Sequence, residues 1–325
     1  MSNLQCSFLV ATLPNSASAA RLRAPKLEMF SLPAVGVTVH ICSFIDSLPN
    51  LLDMRTTSRH FDLAVAIELR FTLYRLVRRF IASPGHLLLK LEETHTSVGG
   101  SAALLFFLRN ASFHPNNLDL FVPHDAYPIL LHHICVEQGG TVERLRTTMD
   151  PDGQDLEDRS LDSIATVQTA RGHILVHRSA NHEALAPVAR SWCSAHVTFV
   201  NPRYFGTAFP NLLFARRAIV GTFSFDEGRL VRKYRNLGFD FRLATHMWSD
   251  LDHPQCAAGH WACHTQPRTF NDAGALCAPM TSRMEERPSA FRSDMRWRLD
   301  VRPCGGRCLE DIDGGLEAGE YICMM

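Results

Sequence analysis

The sequence predicts an α+β protein in which a small helical N-terminal module precedes an α/β domain built on a mixed sheet. Three observations predict it. Apolar residues between 29 and 82 recur near helical spacing, Leu118 to Val122 alternates as a strand does, and Ser83-Pro84-Gly85 separates the two textures.

In the first texture, Val37, Ile41, Phe44, Ile45 and Leu48 fall near one helical face, although Gly36 and Thr38 weaken the first turn. Asp46 and Ser47 supply cap or turn chemistry before a helix at Leu48 to Met54. Ser58 caps a third helix through Phe61, Val65 and Leu69, extending to Ile81 with Arg70, Arg75, Arg78 and Arg79 on its solvated side or forming a basic docking face.

Beyond residue 83, His86 to Glu92 reads as a short helix or strand, and Val98 to Ser101 as a turn. Ala102 to Arg109 is an apolar helix, Asn110 to Asn116 a loop, and Tyr127 to Glu137 a helix ended by Gly139-Gly140. Ile164 to Gln168 and His173 to His177 flank an Arg-Gly turn as a hairpin. Val197 to Asn201 is a further strand, and Tyr204 to Phe214 a helical region. The domain plan is a disordered leader at 1–28, the helical module at 29–82, the α/β domain at 83–280 and a loosely ordered tail at 281–325.

Composition limits the function. The 325 residues carry 33 Lys+Arg against 33 Asp+Glu and are 46% hydrophobic, which excludes a wholly disordered chain. Zero formal net charge speaks against a protein that neutralises a phosphate backbone, so no nucleic-acid partner is expected. Only three of the basic residues are lysines, an arginine preference that coding bias explains. The longest apolar stretch, Ala102 to Leu108, is far below the roughly 20 residues that cross a bilayer, and no membrane partner is expected. Ten cysteines are scattered through a chain long enough to bury its own core, unlike short disulfide scaffolds. The first 27 residues lack acids and carry Arg21, Arg23 and Lys26, but no basic residue precedes the Phe8–Leu13 patch as a secretory signal requires. A cytoplasmic or nuclear location is expected.

Two constellations carry chemistry. In the first, Ser31-Leu32-Pro33 leads into Ile41, Phe44-Ile45, Leu48 and Leu51-Leu52, then Thr57-Ser58-Arg59-His60-Phe61. So short a helical unit cannot bury a sufficient core alone, and its remaining apolar residues must meet a partner. The stretch resembles an F-box. The resemblance implies a Skp-type adaptor of a cullin ubiquitin ligase as that partner, contacting Leu32, Pro33, Ile41 and Phe44.

The second is Gly99-Gly100-Ser101, an apolar helix, then Asn117-Leu118-Asp119-Leu120. On a strand Asn117 and Asp119 share a face. This resembles the nucleotidyltransferase superfamily, in which a Gly-Ser turn cradles a triphosphate and an Asp-x-Asp strand holds two divalent metals. Backbone N–H groups at a glycine turn suit phosphate, and hard oxygen ligands suit Mg²⁺. This chain departs from the pattern: Asn117 replaces the first bridging Asp, the candidate later strand offers His173 and His177 with no acid, and the Ser101–Asn117 interval is long. One carboxylate where three belong implies lost two-metal catalysis and an expected absence of cofactor. Asp119 could equally be a strand-end residue capping a turn.

Together the two constellations resemble a group of fungal F-box-like proteins with a degenerate nucleotidyltransferase-fold core, over roughly residues 30 to 280. Trp192-Cys193-Ser194, Ala208-Phe209-Pro210 and Tyr234 to Phe239 extend the resemblance. The expected role is a non-catalytic interaction protein, with the resemblance implying a ubiquitin-ligase substrate adaptor. The alternatives are a Mg-dependent nucleotidyltransferase, with Asp125 or Asp162 completing the site around Asp119, and a nucleotide sensor without turnover. Separately, Cys256, His260, Cys263 and Cys277 are zinc-type ligands crowded in one region, but no Cys-x₂-Cys pair occurs and metal-free packing is the simpler expectation.

Overall fold

The computed structural model describes residues 33–111, 113–147, 160–221, 227–251, 261–283, 285, 291, 293, 295–300 and 321–323. It is an α+β protein with a mixed sheet. Three helices lead: α1 (Pro33–Ser43), α2 (Leu48–Thr57) and α3 (Arg59–Val77). Ser47 and Ser58 cap α2 and α3, each hydroxyl accepting the amide three residues on, which occupies one of the donors a helix start leaves open. α3 ends at Val77, short of Ile81, and Phe80 turns back with its amide on the Val77 carbonyl. α1 closes at Ser43, so Phe44 and Ile45 lie in the connection to α2.

α4 (Pro84–Glu93) settles the ambiguous His86 to Glu92 stretch as a helix. The Val98–Ser101 turn is instead a junction: strand β1 (Ser97–Gly99) passes directly into helix α5 (Gly100–Phe107), with Gly100 at φ +58°. After β2 (Asn117–Val122) comes α6 (Tyr127–His132), and the expected helical continuation to Glu137 is a π-helical turn, His133–Glu137. β3 (Thr141–Thr147), β4 (Leu161–Gln168) and β5 (His173–Ser179) follow, β4 and β5 forming the expected hairpin. Past α7 (Ala186–Ala189) and β6 (Thr198–Val200), the expected helical region at Tyr204 to Phe214 divides into strand β7 (Tyr204–Thr207) and helix α8 (Pro210–Phe214). Proline fits the first turn of a helix, and Tyr204–Thr207 pairs with β6, so the break falls between them. The remaining elements are β8 (Arg217–Ile219), α9 (Glu227–Arg235), β9 (Asp240–Arg242), β10 (Leu276–Pro279), β11 (Met295–Trp297) and β12 (Tyr321–Cys323).

The main sheet has eight strands in the order β10-β7-β6-β1-β2-β5-β4-β3. Its pairings are antiparallel except β2 with β5, which run parallel with Asp119 opposite Leu175 and Phe121 opposite His177. Leu118, Leu120 and Val122 point into the core while Asn117, Asp119 and Phe121 face the other side, as the period of two demands.

The core does not stop at residue 82. Leu51, Val65, Leu69 and Leu73 of the helical module share one cluster with Ala102, Phe106, Leu118 and Ile174. Polar clips reinforce the join. Arg109, past the end of α5, donates to Glu68 Oε1 (2.8 Å), Thr72 Oγ1 (3.0 Å) and the Ile45 carbonyl (2.8 Å). Arg55 donates to Asp62 Oδ1 at 2.6 Å and to the carbonyls of Pro279 and Thr281, while Ser282 Oγ and the Arg283 amide donate to Asp62 Oδ2. A second cluster gathers Phe199, Phe209, Phe270, Met295, Trp297 and Leu299. Of residues 295–300 all but Arg296 are buried, within the stretch read from sequence as a loosely ordered tail; most of that stretch lies outside the described residues.

Candidate functional site

The β1–α5 junction and β2 meet at the glycines for which the sequence resemblance implies a phosphate cradle. Gly99 pairs with Asp119 across the antiparallel ladder. A Cβ on Gly99 would stand 2.4 Å from the Phe121 ring, and one on Gly100 would stand 2.3 Å from Asp119 Oδ2. Both glycines are thus required by the close approach of β2 side chains, and Gly100 also by its left-handed backbone. The space over the glycines is occupied by the chain's own Asp119 and Phe121.

Asp119 is held from two sides. The Asn117 amide donates to Oδ1 at 2.7 Å, and His177 Nε2 lies 3.2 Å from the same oxygen. Both side chains of the His177–Asp119 pair are only 14% exposed. The His177 ring stacks on Phe121 with centroids 4.5 Å apart and planes at 16°. Nε2 donates to the carboxylate, and the other ring nitrogen, Nδ1, is buried with no hydrogen-bond partner among the described residues. The parallel β2–β5 register brings these groups together from 58 positions apart.

On the other side of the junction, the buried Ser101 lies beside the Tyr234 phenol of α9. Burial, with Cys193 and Asp119 adding negative character nearby, holds that phenol above its ordinary range against the opposing effect of Ser101. Tyr234 meets His196 edge-on at 4.8 Å, and Trp192 lies 5.7 Å from Tyr234. Burial pushes the Cys193 thiol up to about 12 and, with Lys233, pulls His196 down to about 4. A protonated thiol beside a neutral imidazole is the reverse of the thiolate–imidazolium pair of a nucleophilic cysteine.

The two acids read from sequence as completing a metal site are elsewhere engaged or placed. Asp162 accepts from Arg178 at 2.9 Å, and Asp125 is exposed in the turn after β2. A pair of magnesium ions needs several free carboxylate oxygens. One carboxylate, with an oxygen committed to Asn117 and His177, is a poor donor set for it. Among the described residues no group of three or more His, Cys, Asp or Glu could hold a metal ion.

Of the candidate zinc ligands, Cys256 and His260 lie outside the described residues. Cys263 is buried with its sulfur 3.0 Å from Thr265 Oγ1, and Cys277 sits on β10, its thiol pushed up to about 12 by burial. Leu32 also lies outside the described residues, while Pro33 opens α1. Val37, Ile41 and Phe44 are 61%, 53% and 71% exposed, whereas Val35, Thr38 and Cys42 turn inward.

Gly99, Gly100, Asn117 and Asp119 therefore do converge, and Ser101 adjoins them through Tyr234. His177 and Tyr234 are the members that sequence reasoning left out. The alternating histidines of 173–177 were the available signal for the first; nothing local marks the second. No helix among the described residues is long and apolar enough to cross a membrane. No family model matches the chain, and no curated protein matches it either.

Proposed function

We propose that this chain is a non-catalytic interaction protein, its F-box-like helical module docking a Skp-type adaptor and its nucleotidyltransferase-like α/β body presenting a substrate to a cullin-RING ubiquitin ligase. The observation that carries the reading is the outward stripe on and just after α1. Val37, Ile41 and Phe44 stand at i, i+4 and i+7, all more than half exposed, where an unpartnered helix would ordinarily carry polar residues. His40 packs edge-on against Phe44 at 4.9 Å, extending the same surface.

The rival activity, Mg-dependent nucleotidyl transfer or nucleotide sensing at Gly99–Ser101 and Asp119, is disfavoured by what fills that space. Asp119 and Phe121 stand over the glycines, and Asn117 and His177 engage the carboxylate.

Co-purification with a Skp-type adaptor tests the proposal. The wild-type chain is retained, and Ile41→Asp or Phe44→Asp is lost with an unchanged melting curve. Failure of folded wild type to be retained discards the adaptor role. Calorimetry with ATP and Mg²⁺ tests the rival: heat that Asp119→Ala abolishes would put it in the proposal's place.

A further inference from the structure

The arginine run at the end of α3 lies outside the candidate site around Asp119. Two of its members, Arg75 and Arg79, line a cavity of about 340 Å³ in the seam between the helical module and α5. The apolar lining of this cavity includes the half-buried Leu105 and Phe113, with Leu76 and Phe106 buried behind them. Its inner wall is Arg109, whose guanidinium is already saturated by Glu68, Thr72 and the Ile45 carbonyl.

The remaining cations have bonding capacity to spare. Arg75 gives one nitrogen to Glu68 and Thr72 and is otherwise 55% exposed. Arg79 has His114 at 3.0 Å and no carboxylate partner among the described residues. Three guanidinium groups thus face two acids, Glu68 behind the wall and Asp46 at the rim, which leaves one positive charge in excess before His114 is counted.

We propose that this cavity binds an aromatic monophosphate. Arg75 in the last turn of α3 and Arg79 just past its end offer forked donors to a phosphate dianion, and the ring of the ligand lies on Phe113 and Leu105. The volume is at the small end of ligand sites, which run from roughly 300 to 1,000 Å³. The ligand is either a free aryl phosphate or a phosphotyrosine side chain, which present the same chemistry. The proposal does not rest on adaptor docking, since its cations lie at the end of α3 and not on the α1 stripe.

Isothermal titration of the full chain with phenyl phosphate, a short phosphotyrosine peptide and inorganic phosphate tests it. Saturable binding of phenyl phosphate is expected, and tighter binding of the peptide would identify phosphotyrosine as the source. Arg75→Gln and Arg79→Gln each weaken it by about tenfold to a hundredfold, the worth of a charge-assisted hydrogen bond. Arg78→Gln, an exposed neighbour that does not line the cavity, leaves it unchanged; melting curves of all three match wild type. The proposal is overturned by no saturable binding of either aryl phosphate, by equal losses in all three variants, which would mean diffuse attraction, or by inorganic phosphate binding as tightly, which would mean an adventitious ion only.

Discussion

Arg109 and Glu68 lie 2.8 Å apart across the seam between the helical module and the α/β body, their side chains 7% and 2% exposed. A buried pair of this kind is worth little against an apolar replacement, yet removing one member strands the other. Glu68→Ala is therefore expected to cost about 3–5 kcal/mol, while Glu68→Leu with Arg109→Leu recovers most of the loss. Urea denaturation of the single and double variants checks this, and a double variant as unstable as the single would count against it.

The second prediction concerns Gly100 and Asp119. Gly100→Ala puts a methyl group where Asp119 Oδ2 lies, on a backbone at φ +58° that itself costs about 1–2 kcal/mol for a residue with a side chain. Asp119→Ala alone costs about 1–3 kcal/mol through the unpaired Asn117 and His177. Because the second change removes the atom the first collides with, the double variant should be destabilised by less than the sum. Additive losses would show that Asp119 moves aside freely.

A pH dependence follows from His196. Its folded value of about 4 lies below the ordinary 6.5, so the unfolded chain takes up the proton first. Stability is whole above pH 6.5 and falls as the pH drops toward about 4, by up to about 3 kcal/mol over that window. Asp62 acts in the same direction at lower pH. Burial would raise its carboxyl, but the bonds from Arg55, Ser282 and Arg283 outweigh it and hold it below 3.8, so its contribution is lost only as the pH falls below that value. His196→Phe, which keeps the packing on Tyr234, should flatten the melting-temperature profile between pH 6.5 and 4; an unaltered slope would remove His196 as the cause.

Trp297 offers a test of the packed segment beyond 280. It is 1% exposed among Phe209, Phe270 and Leu299, and its ring meets Phe209 edge-on at 6.1 Å. Trp297→Ala should cost about 3–5 kcal/mol, against near neutrality for a residue in a loose tail. Denaturation midpoints decide between them.

Ile41→Asp, by contrast, should change stability by no more than about 0.5 kcal/mol, because Ile41 is more than half exposed. A large loss would mean that the Val37–Ile41 face of α1, and not only the Val35–Cys42 face, is seated against the chain itself.

The legible parts of this fold are those with a strong local pattern. Leu118–Val122 alternates because one of its faces is buried, and Ser47 and Ser58 announce their helices through the hydroxyl each supplies. Strands of three or four residues complete barely one period, so Ser97–Gly99 and Tyr204–Thr207 were hidden by brevity, while Thr198–Val200 showed through its apolar run. The buried Trp297 was hidden by its polar surroundings in sequence. At the candidate site, the residue types at 99–101 and 117–119 drew attention, but the reason for the glycines was not local. It lies in Phe121 and Asp119 crossing above them, and the partner of Asp119 arrives on a strand whose parallel pairing no spacing encodes.

The shared core has a mechanical corollary. With Leu69 and Phe106 in one cluster and Arg109 bridging to Glu68, the leading helices cannot swing on a hinge as a tethered arm would. Any protein that grips Ile41 and Phe44 would fix the bearing of the whole eight-stranded sheet, so distance and angle from that grip to the exposed β3 edge would be set by the chain's own geometry, as along a ruler.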